Sequence, residues 1–427
     1  MTHSINLNHI TKIEGHANLA IEIENNEIKK CELSSIEGSR YFEGLLKGKR
    51  YYEAHEISSR ICGVCSCAHN VAATTAMERA LGIKVTNQTN ELKKLLTLGE
   101  RVRSHAAHLY FLALPDYMGY ESAIAMVGKF REEVKSALHM MKFGNEVVRI
   151  IGGRDLHPVS ITVGGFLHIP AKEQLSELIG HAKKVKYDAI KTVQLFQTLK
   201  LYEITDDCEH FCLHDNKEYG MLSGVLMSEK AMFTDDKYLE FFKEYHSAYS
   251  TANFVTKDDK SFMVGALSRM NLNRHLLSKD AKKLLDNSGI GFPNKNPFTN
   301  NFCQAIELVH CIDHIIEICK RLEPKPEYIV KPENLKQGRG VAAIEVPRGL
   351  LFHDYTVDDQ GIITHANIIT PTAQNLKNME DNIRKFLPRI LELNDEEKIN
   401  LEIEKLIRAY DPCFSCSTHF LKVKWNK

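Results

Sequence analysis

The chain has 427 residues, 43% of them hydrophobic, and carries 55 Lys+Arg against 55 Asp+Glu, a formal net charge of zero. This length can bury a large core, and the balanced charge argues against a nucleic-acid or anionic-membrane surface as the main partner. No apolar run of about 18 residues is present to span a bilayer. The stretch Met1–Asn8 lacks the charged and apolar regions of a signal peptide, and eleven cysteines in such a chain point to reduced thiols in a cytoplasmic setting.

In chain order, Leu19-Ala20-Ile21-Glu22-Ile23-Glu24 alternates apolar and polar residues, turns at Asn25-Asn26 and resumes over Ile28–Leu33, the pattern of a β-hairpin. Helical spacing runs over 88–114 and ends at Pro115-Asp116. A second helix is predicted over 122–151, stopping at Gly152-Gly153, and a third over 171–200 behind Pro170. Three long amphipathic helices predict a bundle at the centre. The segment 201–250 is mixed and polar. Helical patterns return over 301–322 and 375–393; between them, 341–355 and 361–370 read as strands around the Asp358-Asp359-Gln360-Gly361 turn. No break in composition divides the chain, so 1–427 reads as one large α+β domain, a long-helix bundle with small sheets at its periphery.

Two Cys-x-x-Cys pairs stand near opposite ends, Cys62-Gly63-Val64-Cys65 and Cys413-Phe414-Ser415-Cys416. Two thiolates three positions apart converge on one metal because a tight turn or helix start aims both sulfurs the same way. Two pairs supply four soft ligands, suited to zinc, an iron–sulfur cluster or nickel. Zinc ribbons keep their halves about 15–20 residues apart, whereas roughly 350 positions lie between Cys65 and Cys413, so the fold itself must close the site. Cys67 is expected to point away from a metal held by its neighbours. The run Cys208-Glu209-His210-Phe211-Cys212-Leu213-His214 has ligand character but no second half, and reads as incidental. His310, Cys311 and His314 fall on an apolar helical stretch and read as core packing.

The flanks carry more. Arg60-Ile61-Cys62-Gly63-Val64-Cys65 followed by His69, together with Asp411-Pro412-Cys413 and Cys416 followed by His419, resembles the large subunit of nickel–iron hydrogenases. Lys12-Ile13-Glu14-Gly15-His16, Gly152-Gly153-Arg154-Asp155-Leu156-His157-Pro158, Glu345-Val346-Pro347-Arg348-Gly349 and Pro371-Thr372-Ala373-Gln374-Asn375 extend the resemblance along almost the whole chain. The runs 347–353 and 105–116 are similar to the cytosolic, multimeric branch, which couples hydrogen to NAD(P), coenzyme F420 or sulfur-linked carriers. The family usually has Arg where this chain has Lys12.

The resemblance implies an oxidoreductase subunit that interconverts H2 with two protons and two electrons by heterolytic cleavage. It implies nickel held by four thiolates, Cys62 and Cys413 terminal, Cys65 and Cys416 bridging to an iron that carries carbon monoxide and two cyanides. Pro347, Arg348, Pro371 and Thr372 would form the pocket for those diatomic ligands, with Arg348 and Thr372 as hydrogen-bond donors. Heterolysis needs a Lewis acid beside a base; a terminal thiolate and the Arg348 guanidine are both candidates for that base. Glu14 is the expected first proton relay from Cys413. Asp116 and Asp411 are expected to form a canopy with Arg348, and His69 to hydrogen-bond Cys65. Glu43, His419 and a carbonyl near Ile369 would bind a second metal, magnesium or iron.

The chain has no further cysteine set for electron transfer. An iron–sulfur small subunit is therefore implied as partner, with further flavin or iron–sulfur subunits according to the acceptor. Phe420–Lys427 resembles the tail that a maturation protease removes from related large subunits. Three rivals remain at this level: a hydrogen-sensing regulatory subunit using the same site, a structural zinc protein, and a non-enzymatic relative like the complex I core subunit, which lacks the cysteine pairs.

Overall fold

The computed structural model describes residues 2–25, 27–38 and 41–418. Strands β1 (Thr2–Leu7), β2 (Ala17–Glu24) and β3 (Glu27–Ser35) form an antiparallel sheet in that order, so the expected hairpin gains a third strand from the segment ahead of it. The alternation is explained by burial: Ala17, Leu19, Ile21 and Ile23 face the core, and the residues between them are less buried. Helix α1 (Ser66–Ala80) follows the first cysteine pair.

Helices α2 (Asn87–Ala107), α3 (Arg131–Gly152), α4 (Lys172–Gln197) and α5 (Asn300–Arg321) make the central bundle. In it α2 packs on α3, α3 on α4, α4 on α5, and α5 back on α2. The bundle thus has four members where the first three were expected to form its core. Thr86 caps α2 by accepting from the Thr89 N–H, and Gly153, left-handed at φ 86°, ends α3. Where α2 crosses α3, Gly99 faces Gly144; a Cβ on Gly144 would stand 2.5 Å from the Gly99 carbonyl oxygen and 2.8 Å from Arg103 N.

Two predicted helices are interrupted. The one over 88–114 gives way at His108–Ala113 to a wider π turn, then to a helical turn over Leu114–Met118 that closes at Gly119. The one over 122–151 is a short turn, Ala123–Met126, followed by α3, because Gly128 weakens the helix and Phe130 leaves helical geometry. Strands β4 (Gly338–Val346), β5 (Gly349–Val357) and β6 (Ile363–Ile369) form a second antiparallel sheet in sequence order, against which α1 packs. The single strand expected over 341–355 is therefore two, folded back at Pro347-Arg348. Proline cannot donate to the ladder, and Gly349 takes φ 133°.

Helix α6 (Pro371–Leu391) starts on Pro371, whose missing N–H is no loss at a first helical position, and packs against β3. Helix α7 (Glu396–Ala409), absent from the sequence expectations, is capped by Asp395, which accepts from the Lys398 N–H at 3.2 Å. One apolar core joins the first sheet, the bundle, α6 and α7. A smaller cluster around Phe211, Phe242, Phe262 and Phe352 underlies β4 and β5. No helix among the described residues is long and apolar enough to cross a membrane.

Candidate metal centre

The two ends of the chain meet where Glu14 and Cys413 form an isolated parallel bridge, with the Phe414 N–H donating to the Glu14 carbonyl at 2.9 Å. On the first side, Cys62 is extended and Cys65 immediately precedes α1, so the Gly63-Val64 turn aims both sulfurs inward. Arg103 of α2 pins that turn by donating to the carbonyls of Val64 and Asp155, both at 2.7 Å. Glu100 accepts from the N–H groups of Cys67 at 2.7 Å and Ala68 at 3.2 Å, satisfying donors that the first turn of α1 leaves open. On the second side, the chain leaves α7, turns through Asp411 at φ 52° and closes in a tight turn over Ser415–Ser417.

The sulfurs of Cys62, Cys65, Cys413 and Cys416 all lie within 4.8 Å of one another, and all four residues are buried. Neighbouring pairs stand at 2.7 Å (Cys413–Cys416), 3.1 Å (Cys65–Cys416) and 3.6 Å (Cys62–Cys413), and all are free thiols. Metal–sulfur bonds of about 2.3 Å can span sulfurs up to about 4.6 Å apart, and these three pairs fall inside that reach. The electrostatics of the cluster agree. Hydrogen bonds from Cys413, Cys416 and Cys65 push the Cys62 thiol well below its ordinary range. For Cys65, hydrogen bonds from Cys413 and Cys416 pull downward, but the bond to Cys62 and burial outweigh them and push it up to about 11. Burial pushes Cys413 and Cys416 far up. Burial of four sulfurs this close together disfavours their ionisation as a group, and a cation at their centre would offset that.

A cavity adjoins the quartet, lined by Cys65, Cys413 and Cys416 together with Pro347, Arg348, Pro371 and Thr372. Arg348, 6% exposed, donates from Nε to the Asp411 carbonyl at 2.7 Å and forms an ion pair through Nη2 with Asp411 Oδ1 at 2.9 Å. Burial lowers its basicity, but the charges of Asp411 and the nearby cysteines outweigh that, and the guanidinium stays protonated. Thr372 Oγ1 accepts from the Cys413 N–H at 2.9 Å, which leaves its own hydrogen to donate into the cavity.

Asp411 is fixed by Gln304, which donates to Oδ2 at 3.0 Å and in turn meets His108 at 2.6 Å. Asp116, from the turn over Leu114–Met118, pairs with Lys12 at 2.6 Å and with Arg408. His69 lines the cavity, with Nδ1 3.0 Å from Nε2 of His353.

Glu14 reaches the quartet directly. The Cys413 thiol donates to its Oε2 at 2.8 Å, and the Ser415 hydroxyl donates to its Oε1. Glu43 lies in a helical turn over Phe42–Leu46 and accepts from the Ile368 N–H at 2.8 Å, one residue from the buried Ile369. His419 and the tail 420–427 lie outside the described residues. Cys67 stands apart from the quartet, its thiol raised by burial and by Glu100. The 208–214 run is divided among separate partners: Asn378 for Cys208, Lys257 for Glu209, Ser268 for His210, and Asn273 for both Cys212 and His214. His310 is buried and accepts from the Ser278 N–H. Sequence reasoning missed Glu100, Arg103 and Ser415, whose roles arise from tertiary contacts that no local pattern marks.

The family model described as nickel-dependent hydrogenase matches residues 40–136 and 181–419. The chain is 34% identical to the alpha subunit of sulfhydrogenase 1 from Pyrococcus furiosus, over 98% of each chain. It is 26% identical to the beta subunit of the NAD-reducing hydrogenase HoxS of Cupriavidus necator, covering 99% of this chain and 96% of that one. Its fold superposes on a crystal structure of an NAD+-reducing NiFe hydrogenase in the H2-reduced state with a TM-score of 0.88, at 22% identity and covering 98% and 99% of the two chains.

Proposed function

The chain belongs to the nickel-dependent hydrogenases, as the large, catalytic subunit of a nickel–iron enzyme acting on H2, and from that premise we propose which of its residues do what. The observation that carries the reading is the buried quartet of sulfurs assembled from both chain ends. Cys62, Cys65, Cys413 and Cys416 would hold the nickel, with Cys62 and Cys413 as its terminal ligands and Cys65 and Cys416 shared with an iron that would carry carbon monoxide and two cyanides. Pro347, Arg348, Pro371 and Thr372 wall the pocket for those small ligands, a role supported by the cavity they share with the cysteines. When bound, the metals supply the Lewis acidity and redox capacity for heterolysis of H2.

The protein's own part is to take and export the proton. Arg348, held protonated, is a donor and not a base. The base is then the Cys413 thiolate, and the hydrogen bond from Cys413 Sγ to Glu14 Oε2 supports Glu14 as the next carrier. Asp411 acts by aiming Arg348. Asp116 acts further out, by anchoring Lys12 and Arg408. His69 tunes the bridging Cys65 from the cavity wall.

Glu43, the Ile369 carbonyl and His419 would hold a second metal, magnesium or iron, and a maturation protease would remove 420–427. Electrons leave through an iron–sulfur small subunit and, beyond it, flavin or further iron–sulfur subunits. A docking face near the first cysteine pair is supported by Leu156 and Val159, 44% and 50% exposed. They flank His157, whose N–H and ring bond Ser66 and Ser59 beside Cys62 and Cys65. The curated relatives carry names of enzymes, which favours turnover over hydrogen sensing, and we propose a cytoplasmic location.

The test is metal analysis with infrared spectroscopy of the purified complex. About one nickel and at least one iron per chain are expected, with bands from carbon monoxide and cyanide. Active protein holding zinc alone would overturn the assignment.

A further inference from the structure

A fully buried ionic group of the core takes no part in the chemistry above. Arg269, from the helical segment Ala266–Asn273, meets Glu307 of α5 and Glu345 of β4, and the three side chains are shielded from solvent. Arg269 grips Glu307 at two points, Nε to Oε1 at 2.6 Å and Nη2 to Oε2 at 2.7 Å, and donates from Nη1 to Glu345 Oε2 at 2.7 Å. Its remaining hydrogens go to the main chain: Nη1 donates to the Val346 carbonyl and Nη2 to the Pro347 carbonyl, both at 3.0 Å. Every donor of the guanidinium is thereby used. Glu307 is fixed in turn by the Tyr219 hydroxyl, which donates to Oε1 at 2.8 Å, and by His105 Nε2, 2.8 Å from Oε2. Glu345 Oε1 accepts from the Leu213 N–H at 2.9 Å.

Stability alone does not account for this arrangement, because a buried ionic group gives little net stability over apolar side chains of the same volume. What apolar side chains cannot do is orient peptides. The two carbonyls that Arg269 holds belong to the peptide bonds ahead of Arg348, where β4 folds back into β5. Val346, Pro347 and Arg348 all line the cysteine cavity. The peptide after Arg348 is confined as well: a Cβ on Gly265 would stand 3.2 Å from the Arg348 carbonyl oxygen, and one on Gly349 only 2.5 Å from Val264 Cγ2. With the planes on both sides of its Cα set, Arg348 has its side chain launched in one direction.

We propose that Arg269 is a positioning residue, holding the turn at Val346, Pro347 and Arg348 so that the Arg348 guanidinium is aimed at the cysteine cavity. The proposal rests on the donor role given to Arg348 above.

The test uses the purified complex carrying Arg269→Lys, Glu307→Asp, Arg348→Lys, or either of the first two combined with Arg348→Lys. Lysine at 269 keeps the charge but not the planar fork. Aspartate at 307 keeps the charge but withdraws the carboxylate by about 1.5 Å, drawing Arg269 off the two carbonyls. Nickel content and the infrared bands of carbon monoxide and cyanide are recorded first in the unsubstituted complex. Their absence there would defeat the ligand assignment, whereas amide hydrogen exchange over 346–350 reports the hold of Arg269 on the turn with or without it. Arg269→Lys and Glu307→Asp are expected to load nickel, to exchange faster over 346–350 with the bundle helices as in the parent, and to shift the cyanide bands. Their H2/D+ exchange is expected to fall by about 10²-fold, the cost of a displacement near 1 Å. Because Arg269 acts through Arg348, each double variant is expected to be no slower than Arg348→Lys alone. Unchanged hydrogen exchange over 346–350 would overturn the proposal, as would unshifted cyanide bands or losses that multiply in the double variants. Should Arg269→Lys fail to fold, Glu307→Asp decides by the same readings.

Discussion

Replacing Glu14 by glutamine removes one proton-carrying atom and little else. The backbone at Glu14 is held independently of its side chain, by the Phe414 N–H donating to the Glu14 carbonyl at 2.9 Å. Glutamine has the same length, and its oxygen can still accept from the Ser415 hydroxyl in the place of Glu14 Oε1, while its amide nitrogen takes the place of Oε2 and gives up the 3.3 Å bond from the Ser415 N–H. What changes is the contact at 2.8 Å with Cys413 Sγ, where a carboxylate that can take a proton gives way to an amide that cannot. A positioned acid–base group contributes about 10²–10⁴-fold, or roughly 3–5 kcal/mol of barrier, and a loss in that range is expected in H2/D+ exchange at unchanged nickel content. Glu14→Asp draws the carboxylate back by one methylene, about 1.5 Å, a gap one water can bridge, so its loss should be smaller. Exchange by Glu14→Gln at the full rate, with nickel in place, would show that protons leave by another route.

Arg348→Lys keeps the charge but not the fork that holds Asp411 at two points; activity should fall by about 10²-fold with nickel retained, by analogy with loss of one aimed donor, and unchanged turnover would contradict a donor role. Gly144→Ala places a methyl 2.5 Å from the Gly99 carbonyl oxygen; overpacking should destabilise by about 1–3 kcal/mol, read as a lower urea midpoint, and a neutral result would mean that α2 and α3 part freely. Burial lowers the His55 imidazole to about 4. Because the folded value lies below the ordinary 6.5, the unfolded chain binds the extra proton between those values. Its contribution is therefore fully present above pH 6.5, falls by about 2 kcal/mol at pH 5 and by about 3 kcal/mol below pH 4. Comparison of urea midpoints at pH 7 and pH 5 for the parent and His55→Gln checks this, since the variant should be less acid-sensitive.

What could be read from the sequence was whatever a local rule encodes. The long bundle helices announce themselves by periodicity, and the two cysteine pairs by spacing. Junctions where tertiary packing overrides periodicity were not legible. The π turn at His108–Ala113 carries an unbroken helical pattern, and the reversal at Pro347-Arg348 sits inside an apolar run that reads as one strand. The helix Glu396–Ala409 escaped notice because its charged, exposed face dilutes the apolar one. In the site, Cys62, Cys65, Cys413 and Cys416 were legible as ligands, but only the fold shows that Asp411 carries Arg348 while Asp116 turns to Lys12 and Arg408. The supports Glu100 and Arg103 look like ordinary charges on an amphipathic helix until α2 is laid beside the first cysteine turn.

The bridge between Glu14 and Cys413 has a consequence in time. Cys62 and Cys65 leave the ribosome 351 positions ahead of Cys413 and Cys416 respectively. At about 5–20 residues per second, that interval is roughly 20–70 s. Throughout it the growing chain presents half of a soft-metal site, an open dithiol able to capture whichever thiophilic ion is most abundant. Correct loading therefore depends on something outside this chain shielding the early pair, or on the early pair binding too weakly alone to keep a wrong ion until its partners arrive. Because the bridge joins segments made so far apart in time, the site can close only after Cys413 and Cys416 have emerged.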